Sequence, residues 1–273
     1  MVSSYLLALR EGLEAALIIG IVLGTLRKMN QKHFAGSVWF GVASAAIISG
    51  AVALILNAVG ASFSGSAEAI FEGITMLLAA GVLTWMIFWL RVQSKTMQTT
   101  LASDVRGATQ TGGKRALFMV AFLAVMREGI ELALFLTAAA AASTQQETLM
   151  GALLGLATAV VLGWMLFATT IRLNVQRFFQ VTSVLLILFA AGLVAHAVHE
   201  FNEVGWIPGV IEHLWDTNPI LNENSTLGLM LKALFGYNGN PSLSEVLAYF
   251  LYFVAVMFGF RRNTQLPASA QNT

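Results

Sequence analysis

The sequence predicts an all-α integral membrane protein with seven transmembrane helices. The expected arrangement is an inverted 3+3 repeat plus a seventh helix, with the N-terminus outside and the C-terminus cytoplasmic. Three observations carry this expectation. Hydrophobic residues make up 57% of the chain and charged residues 11%, with a mean hydropathy of +0.75, whereas soluble domains are about a quarter charged. Apolar stretches of about 20 residues, the length that crosses a hydrocarbon core, recur along the chain. One charged pentapeptide occurs twice, at Arg10-Glu11-Gly12-Leu13-Glu14 and at Arg127-Glu128-Gly129-Ile130-Glu131.

The apolar segments run approximately 2–26, 35–59, 68–92, 115–142, 148–171, 178–200 and 244–260. The first lacks a basic leader and is interrupted by Arg10, Glu11 and Glu14, so it reads as a transmembrane helix and not as a cleaved signal peptide. Arg27, Lys28 and Lys32 follow it, whereas the next connection, around Gly60 to Ala67, has no basic residue. Arg91, Lys95, Arg106, Lys114 and Arg115 follow the third segment; the connection around Ser143 to Glu147 again has none. Arg172 and Arg177 follow the fifth, Lys232 alone lies in the long sixth connection, and Arg261 and Arg262 end the seventh. Twelve of the fifteen Lys and Arg thus fall on one side, which the positive-inside rule makes cytoplasmic.

Residues 1–262 are expected to form one transmembrane domain, with repeat 1 at 1–92, repeat 2 at 115–200, an outer loop at 201–243 and the last helix at 244–260. Residues 263–273 are expected to be a short cytoplasmic tail. The two motif copies are offset by 117 residues and run in opposite directions, which places the axis relating the repeats in the membrane plane and a substrate site near the midplane. Small residues mark the second and fifth segments as packing helices: Gly36, Gly41 and Gly50 in one, Gly151, Gly155 and Gly163 in the other. In the outer loop, Leu227 to Phe235 is too short to span and reads as an interfacial helix.

On an α-helix Arg10, Glu14 and Glu11 fall at about 0°, 40° and 100°, so each motif gathers its charges on one face. That face cannot meet lipid. Three charges cost about 7.5 to 10 kcal/mol on insertion, against about 4 to 7 kcal/mol from the twelve Leu, Ile and Val of the first segment. Four carboxylates against two guanidiniums leave a charge of −2, which suits a multivalent cation and repels an anion. With no Cys in the chain and no His in either motif, the ligands are all oxygen and favour a hard cation such as Fe(III), or less selectively Fe(II), Mn, Ca or Mg. Arg10 and Arg127 are the charge-balancing residues.

Nine acids and one Lys on the outer side concentrate cations there. Glu68 and Glu72 share a face near the outer end of the third segment, and Glu72 is the deeper of the two, placed to pass an ion toward the motifs. His196, His199 and Glu200 end the sixth segment in the same region, and Glu68, His199 and Glu200 are the candidate outer-mouth relay residues, although a His at a helix end is more often capping or interfacial. The Met residues, including Met76, Met126 and Met165, read as packing residues and not as copper ligands.

The doubled motif resembles that of the oxidase-dependent iron transporter family, which includes the fungal high-affinity iron permease and bacterial EfeU-type permeases. The similarity extends to about Arg262 and includes Phe71-Glu72-Gly73, Leu83-Thr84-Trp85-Met86 and the stretch from Leu156 to Gly163. The resemblance implies iron uptake through the cytoplasmic (inner) membrane, with Glu11, Glu14, Glu128 and Glu131 as iron-translocating carboxylates. Iron (Fe3+ or Fe2+) is then the transported substrate and not a bound cofactor. Implied partners are a periplasmic iron-binding protein and a haem peroxidase of the EfeO/EfeB type, or in fungi a multicopper oxidase. The short tail fits the bacterial kind better. No nucleic acid and no permanently bound cofactor are expected, and a homo-oligomer is left open. A membrane-embedded carboxylate metalloenzyme is the rival reading, disfavoured because such sites usually add Glu-x-x-His pairs. A third reading, in which the charges only lock helices together, does not explain the second Glu of each copy.

Overall fold

The computed structural model describes residues 1–93, 97–141, 143–168, 175–223 and 225–263. Lys95, Arg172, the tail from residue 264 and the ends of the expected fourth and fifth segments (142 and 169–171) lie outside the described residues. Among the described residues the regular structure is entirely helical: α1 (Val2–Lys28), α2 (Ala35–Ser62), α3 (Ser66–Gln93), α4 (Met97–Thr111), α5 (Gly113–Ala141), α6 (Gln145–Ala168), α7 (Val175–Glu203), α8 (Thr226–Phe235) and α9 (Leu243–Asn263). Five of these, α2, α3, α6, α7 and α9, are long and apolar enough to cross a membrane. The other two long helices, α1 and α5, have 27 and 29 residues and carry the charged motifs. Trp39, Phe40, Ile47 and Leu54 on α2, and Phe250, Leu251 and Phe258 on α9, are exposed, as expected of lipid-facing surfaces.

The element that the sequence left as a loop is α4. Its Leu101, Val105 and Ala108 recur at helical spacing, and Val105 and Ala108 are buried against Ile18, Val22, Leu117 and neighbours from α1, α2 and α5. The signal was hidden because most of the rest of α4 is polar, with Thr, Gln, Ser, Asp104 and Arg106, and a 15-residue helix is too short to read as a span. Gly113, at φ +55, makes the turn from α4 into α5. Residues 226–235 do form the short helix expected within the long connection. Ser225 caps it by accepting from Gly228 N at 3.0 Å. The start of α9 is a capping box: Ser242 N donates to Glu245 Oε1 at 3.2 Å and Glu245 N to Ser242 Oγ at 3.3 Å.

Long helices pair across the two halves of the chain: α1 lies on α6, α2 on α5, α3 on α7, and α1 also crosses α5. The correspondence holds at the level of residues. A Cβ added to Gly151 on α6 would meet the Met1 carbonyl, Tyr5 N at 3.1 Å and Ser4 Cβ at 3.1 Å. One added to Gly41 on α2 would meet the Phe118 carbonyl, Phe122 N at 3.1 Å and Ala121 Cβ at 3.3 Å. Shifting Met1, Ser4 and Tyr5 by the motif offset of 117 gives Phe118, Ala121 and Phe122, so the two contacts are counterparts. Gly155 and Gly163 also sit against α1, but Gly36 and Gly50 face open space and are not packing residues.

Two apolar clusters flank the motifs. One gathers Leu7, Met76, Leu83, Phe135 and Phe189 from α1, α3, α5 and α7. The other gathers Ile18, Val22, Val38, Val105, Leu117 and Ala121. Along α1 the charges at 10–14 fall between Leu7 and Ile18, and along α5 those at 127–131 fall between Ala121 and Phe135. Because overpacking a close helix contact costs about 1–3 kcal/mol, Gly41→Val and Gly151→Val are each expected to lower thermal stability in detergent, while Gly36→Ala is expected to leave it unchanged.

Candidate functional site

The repeated motif meets itself where α1 and α5 cross. The glycine of each copy faces the packing helix behind it: a Cβ on Gly12 would lie 2.6 Å from Ala159 Cβ of α6, and one on Gly129 would overlap the Ser49 side chain of α2. With these backs pressed home, the charges turn inward. Glu11, Glu14, Glu128 and Glu131 are all buried, and Arg10 is fully so.

One carboxylate oxygen each from Glu11, Glu128 and Glu131 lies within 4.8 Å of the other two. Metal–oxygen bonds of about 2.0–2.6 Å separate ligands on opposite sides of a cation by about 4 to 5 Å, so this spacing suits one shared ion. One oxygen of each, Glu11 Oε2, Glu128 Oε2 and Glu131 Oε2, accepts no hydrogen bond from the described residues. Glu14 stands to one side, its Oε1 3.0 Å from Arg10 Nη2 as an ion pair but outside hydrogen-bond geometry. Three of the four expected carboxylates therefore converge, and the fourth is the partner of Arg10.

The two guanidiniums balance charge in different settings. Arg10 Nη1 lies 3.4 Å from Glu11 Oε1 and 3.1 Å from the Met86 sulfur of α3, with the Phe179 ring of α7 5.9 Å from its Cζ. Arg127 donates to Glu128 Oε1 through Nη2 at 2.7 Å and Nε at 3.1 Å, and its Nε lies 3.6 Å from Glu131 Oε1. Its Cζ lies 4.8 Å from the centre of the Trp89 ring of α3. The Arg127 side chain is 41% exposed, against 0% for Arg10. In the sequence Met86 stands out only within the Leu83–Met86 stretch of the resemblance and Trp89 not at all, since an apolar residue on an apolar helix carries no mark of its partner.

Glu68, Glu72 and Glu200 do come together, in a separate hollow of about 340 Å³ that they line with Glu203 and Val204. Glu203 extends the expected set, and its i,i+3 spacing from Glu200 was the available sign. Glu72 is 14 residues up α3 from Met86, a rise of about 21 Å, so it stands well apart from the motif carboxylates. His199 lies beside the hollow: its Nδ1 is 3.1 Å from Glu245 Oε1 and its Nε2 3.5 Å from Glu203 Oε1. Glu245 also accepts from Asn238 Nδ2 at 2.7 Å and Ser242 Oγ at 2.9 Å, and so ties α7 to α9. His196 turns its Nδ1 to the Gly192 carbonyl at 3.2 Å within its own helix.

Removing one partner of a buried ion pair costs about 3–5 kcal/mol, and the cost falls where the side chain removed reaches solvent, as the 41% exposed Arg127 does beside its buried Glu128. Arg10→Met is therefore expected to lower the thermal unfolding midpoint in detergent distinctly more than Arg127→Met, although the two arginines occupy the same place in the motif.

Comparison with known proteins gives one family over nearly the whole chain. The model of the "Iron permease FTR1 family" matches residues 1–262. Over 271 residues, 98% of each chain, the sequence is 37% identical to the "Ferrous iron permease EfeU" of Shigella sonnei (strain Ss046) and 38% identical to that of Escherichia coli O6:K15:H31 (strain 536 / UPEC). It is 34% identical to the protein of the same name from Yersinia pestis over 258 residues, covering 94% of this chain and 92% of that one. No solved structure matches. On the breadth of these matches, the chain belongs to the iron permease FTR1 family.

Proposed function

We propose that this permease carries ferrous iron inward across the cytoplasmic membrane through a midplane site built from Glu11, Glu128 and Glu131, with Glu14 as a fourth carboxylate. The observation that carries the site is the convergence of three buried carboxylates, each with an oxygen that accepts no hydrogen bond, at a spacing that suits one cation. The family is one of permeases, so the metalloenzyme alternative is set aside. All-oxygen ligands bind both Fe(II) and Fe(III); the choice of Fe(II) follows the names of the relatives.

In this reading α1, α2, α3, α5, α6, α7 and α9 are seven membrane spans, and α1–α3 and α5–α7 are the inverted repeats. The matched environments of Gly41 and Gly151 support that assignment. The N-terminus is outside and the C-terminus cytoplasmic, as the basic residues argue. The hollow lined by Glu68, Glu72, Glu200 and Glu203 then opens outward, where it gathers cations ahead of the site. His199 shapes this mouth through Glu203 and Glu245 without binding the ion. Delivery from a periplasmic iron-binding protein and a haem peroxidase follows from the bacterial kind of this family.

The test is uptake of radioactive iron into liposomes containing the purified protein, under reducing and then oxidising conditions. Glu11→Gln, Glu128→Gln and Glu131→Gln are each expected to abolish Fe2+ uptake while the protein still inserts; uptake at the normal rate by all three would sink the proposal. Glu72→Gln is expected to weaken uptake mainly at low iron concentration.

A further inference from the structure

Both motif arginines reach out of their own helices to the same third helix. Arg10 Nη1 donates to the Met86 sulfur at 3.1 Å, and the Arg127 guanidinium lies 4.8 Å from the centre of the Trp89 ring. Met86 and Trp89 are three residues apart on α3, so they share one face a turn apart. A helix that carries neither motif thus meets both cations of the cluster.

The chemistry around them gives this contact a consequence. A guanidinium presents five N–H donors in a planar fork, and its strongest partner is a carboxylate held by two parallel bonds. Within the cluster, Arg10 Nε and Nη2 make no hydrogen bond, and neither do Glu11 Oε2, Glu128 Oε2 and Glu131 Oε2. Unused donors and unused acceptors therefore stand in one buried site without closing on one another. A guanidinium that swung fully onto these oxygens would occupy the place of a metal ion. A thioether is a weak acceptor, and an aromatic face attracts a cation without neutralising it, so each holds an arginine in place yet leaves its charge to balance the carboxylates.

We propose that Met86 and Trp89 are positioning residues that hold Arg10 and Arg127 to one side and so keep the three converging carboxylates open to a divalent cation. Neither contacts the ion. The proposal rests on the reading of Glu11, Glu128 and Glu131 as the iron site. It also makes α3 the element that sets both guanidiniums at once, so a shift of α3 against α1 and α5 changes the charge facing the ion from two directions.

The experiment is initial-rate Fe2+ uptake into liposomes under reducing conditions, with KM and maximal rate measured separately for the full chain. Trp89→Leu removes the ring face, Trp89→Phe keeps one, and Met86→Leu keeps the volume without the sulfur. Partners that orient a metal ligand typically change affinity by about 10- to 100-fold when removed, so Trp89→Leu and Met86→Leu are expected to raise KM by about tenfold or more with the maximal rate little changed. Trp89→Phe is expected to recover most of the affinity. Wild-type KM in both leucine variants would overturn the proposal, as would equal behaviour of Trp89→Leu and Trp89→Phe, or a fall in maximal rate at unchanged KM. Met86→Leu is nearly isosteric and decides the matter alone if Trp89→Leu fails to fold. If Glu11→Gln and Glu131→Gln still take up iron, the site reading fails; if they do not while both leucine variants keep wild-type KM, only the role of Met86 and Trp89 fails.

Discussion

The pairing of Arg10 with Glu14, and of Arg127 with Glu128, is the constraint from which the rest of this structure follows. An ionised side chain taken out of water costs several kcal/mol unless another charge and hydrogen bonds compensate it. Six such groups on two otherwise apolar helices leave α1 and α5 only marginally suited to lipid, and that face must be covered. Covering it demands that α1 and α5 cross with their motifs together, which in turn demands that each be pressed from behind by a packing helix. Gly12 against Ala159 and Gly129 against Ser49 are where that pressure is applied. The exchange of partners between the halves, α1 on α6 and α2 on α5, is thus a consequence of the charges and not an independent feature of the fold.

The two copies of the motif are equal in sequence and unequal in surroundings. Arg10 is sealed among α1, α3 and α7, while Arg127 remains partly open beside Trp89. On the repeat reading proposed above, two halves held in the same conformation would bury both arginines alike. Unequal burial of matched residues is the form that alternating access takes in repeat-built transporters, where one half rocks against the other about a fixed site. Here α3 meets both guanidiniums, and α7 reaches Arg10 through Phe179.

Much of this was written in the sequence, because the signals were strong where the physics is severe. Charge inside an apolar helix is costly, so Arg10 to Glu14 and Arg127 to Glu131 stand out at once. Long apolar runs gave helices close to the observed α2, α3, α6, α7 and α9. What stayed hidden was decided by tertiary neighbours. The spacing in α4 is helical, but only the packing of Val105 and Ala108 onto α1 and α5 gives that short polar stretch a place. Glu14 has the same rank as Glu11 in the motif, yet it is Glu11 that joins Glu128 and Glu131 within 4.8 Å. Glycines such as Gly36 and Gly50 read as packing residues, although only the helix azimuth decides whether such a residue faces a neighbour or open space.

The layering of the molecule bears on how an ion could pass. From the hollow at Glu72 to the carboxylates by Met86 the face of α3 is Met76, Ala79, Ala80 and Leu83, all buried against Leu7, Phe135 and Phe189. Thr75 is buried on the same stretch, but the cluster itself offers a cation hydrocarbon in exchange for its water. On the far side Ile18, Val22, Val105 and Leu117 form an equally apolar layer, and α4 is part of it. Among the described residues the carboxylates therefore sit between two apolar layers. An ion crosses such a molecule only if the layers part, and parting both at once would leave an open leak. The upper layer is held by α3 against α7 and the lower by α4 against α1 and α5. α1 and α5 run through both layers and carry the carboxylates between them, while α3 belongs to the first layer and meets both arginines, so a shift of α3 against α1 and α5 is felt at the layer and at the charges together.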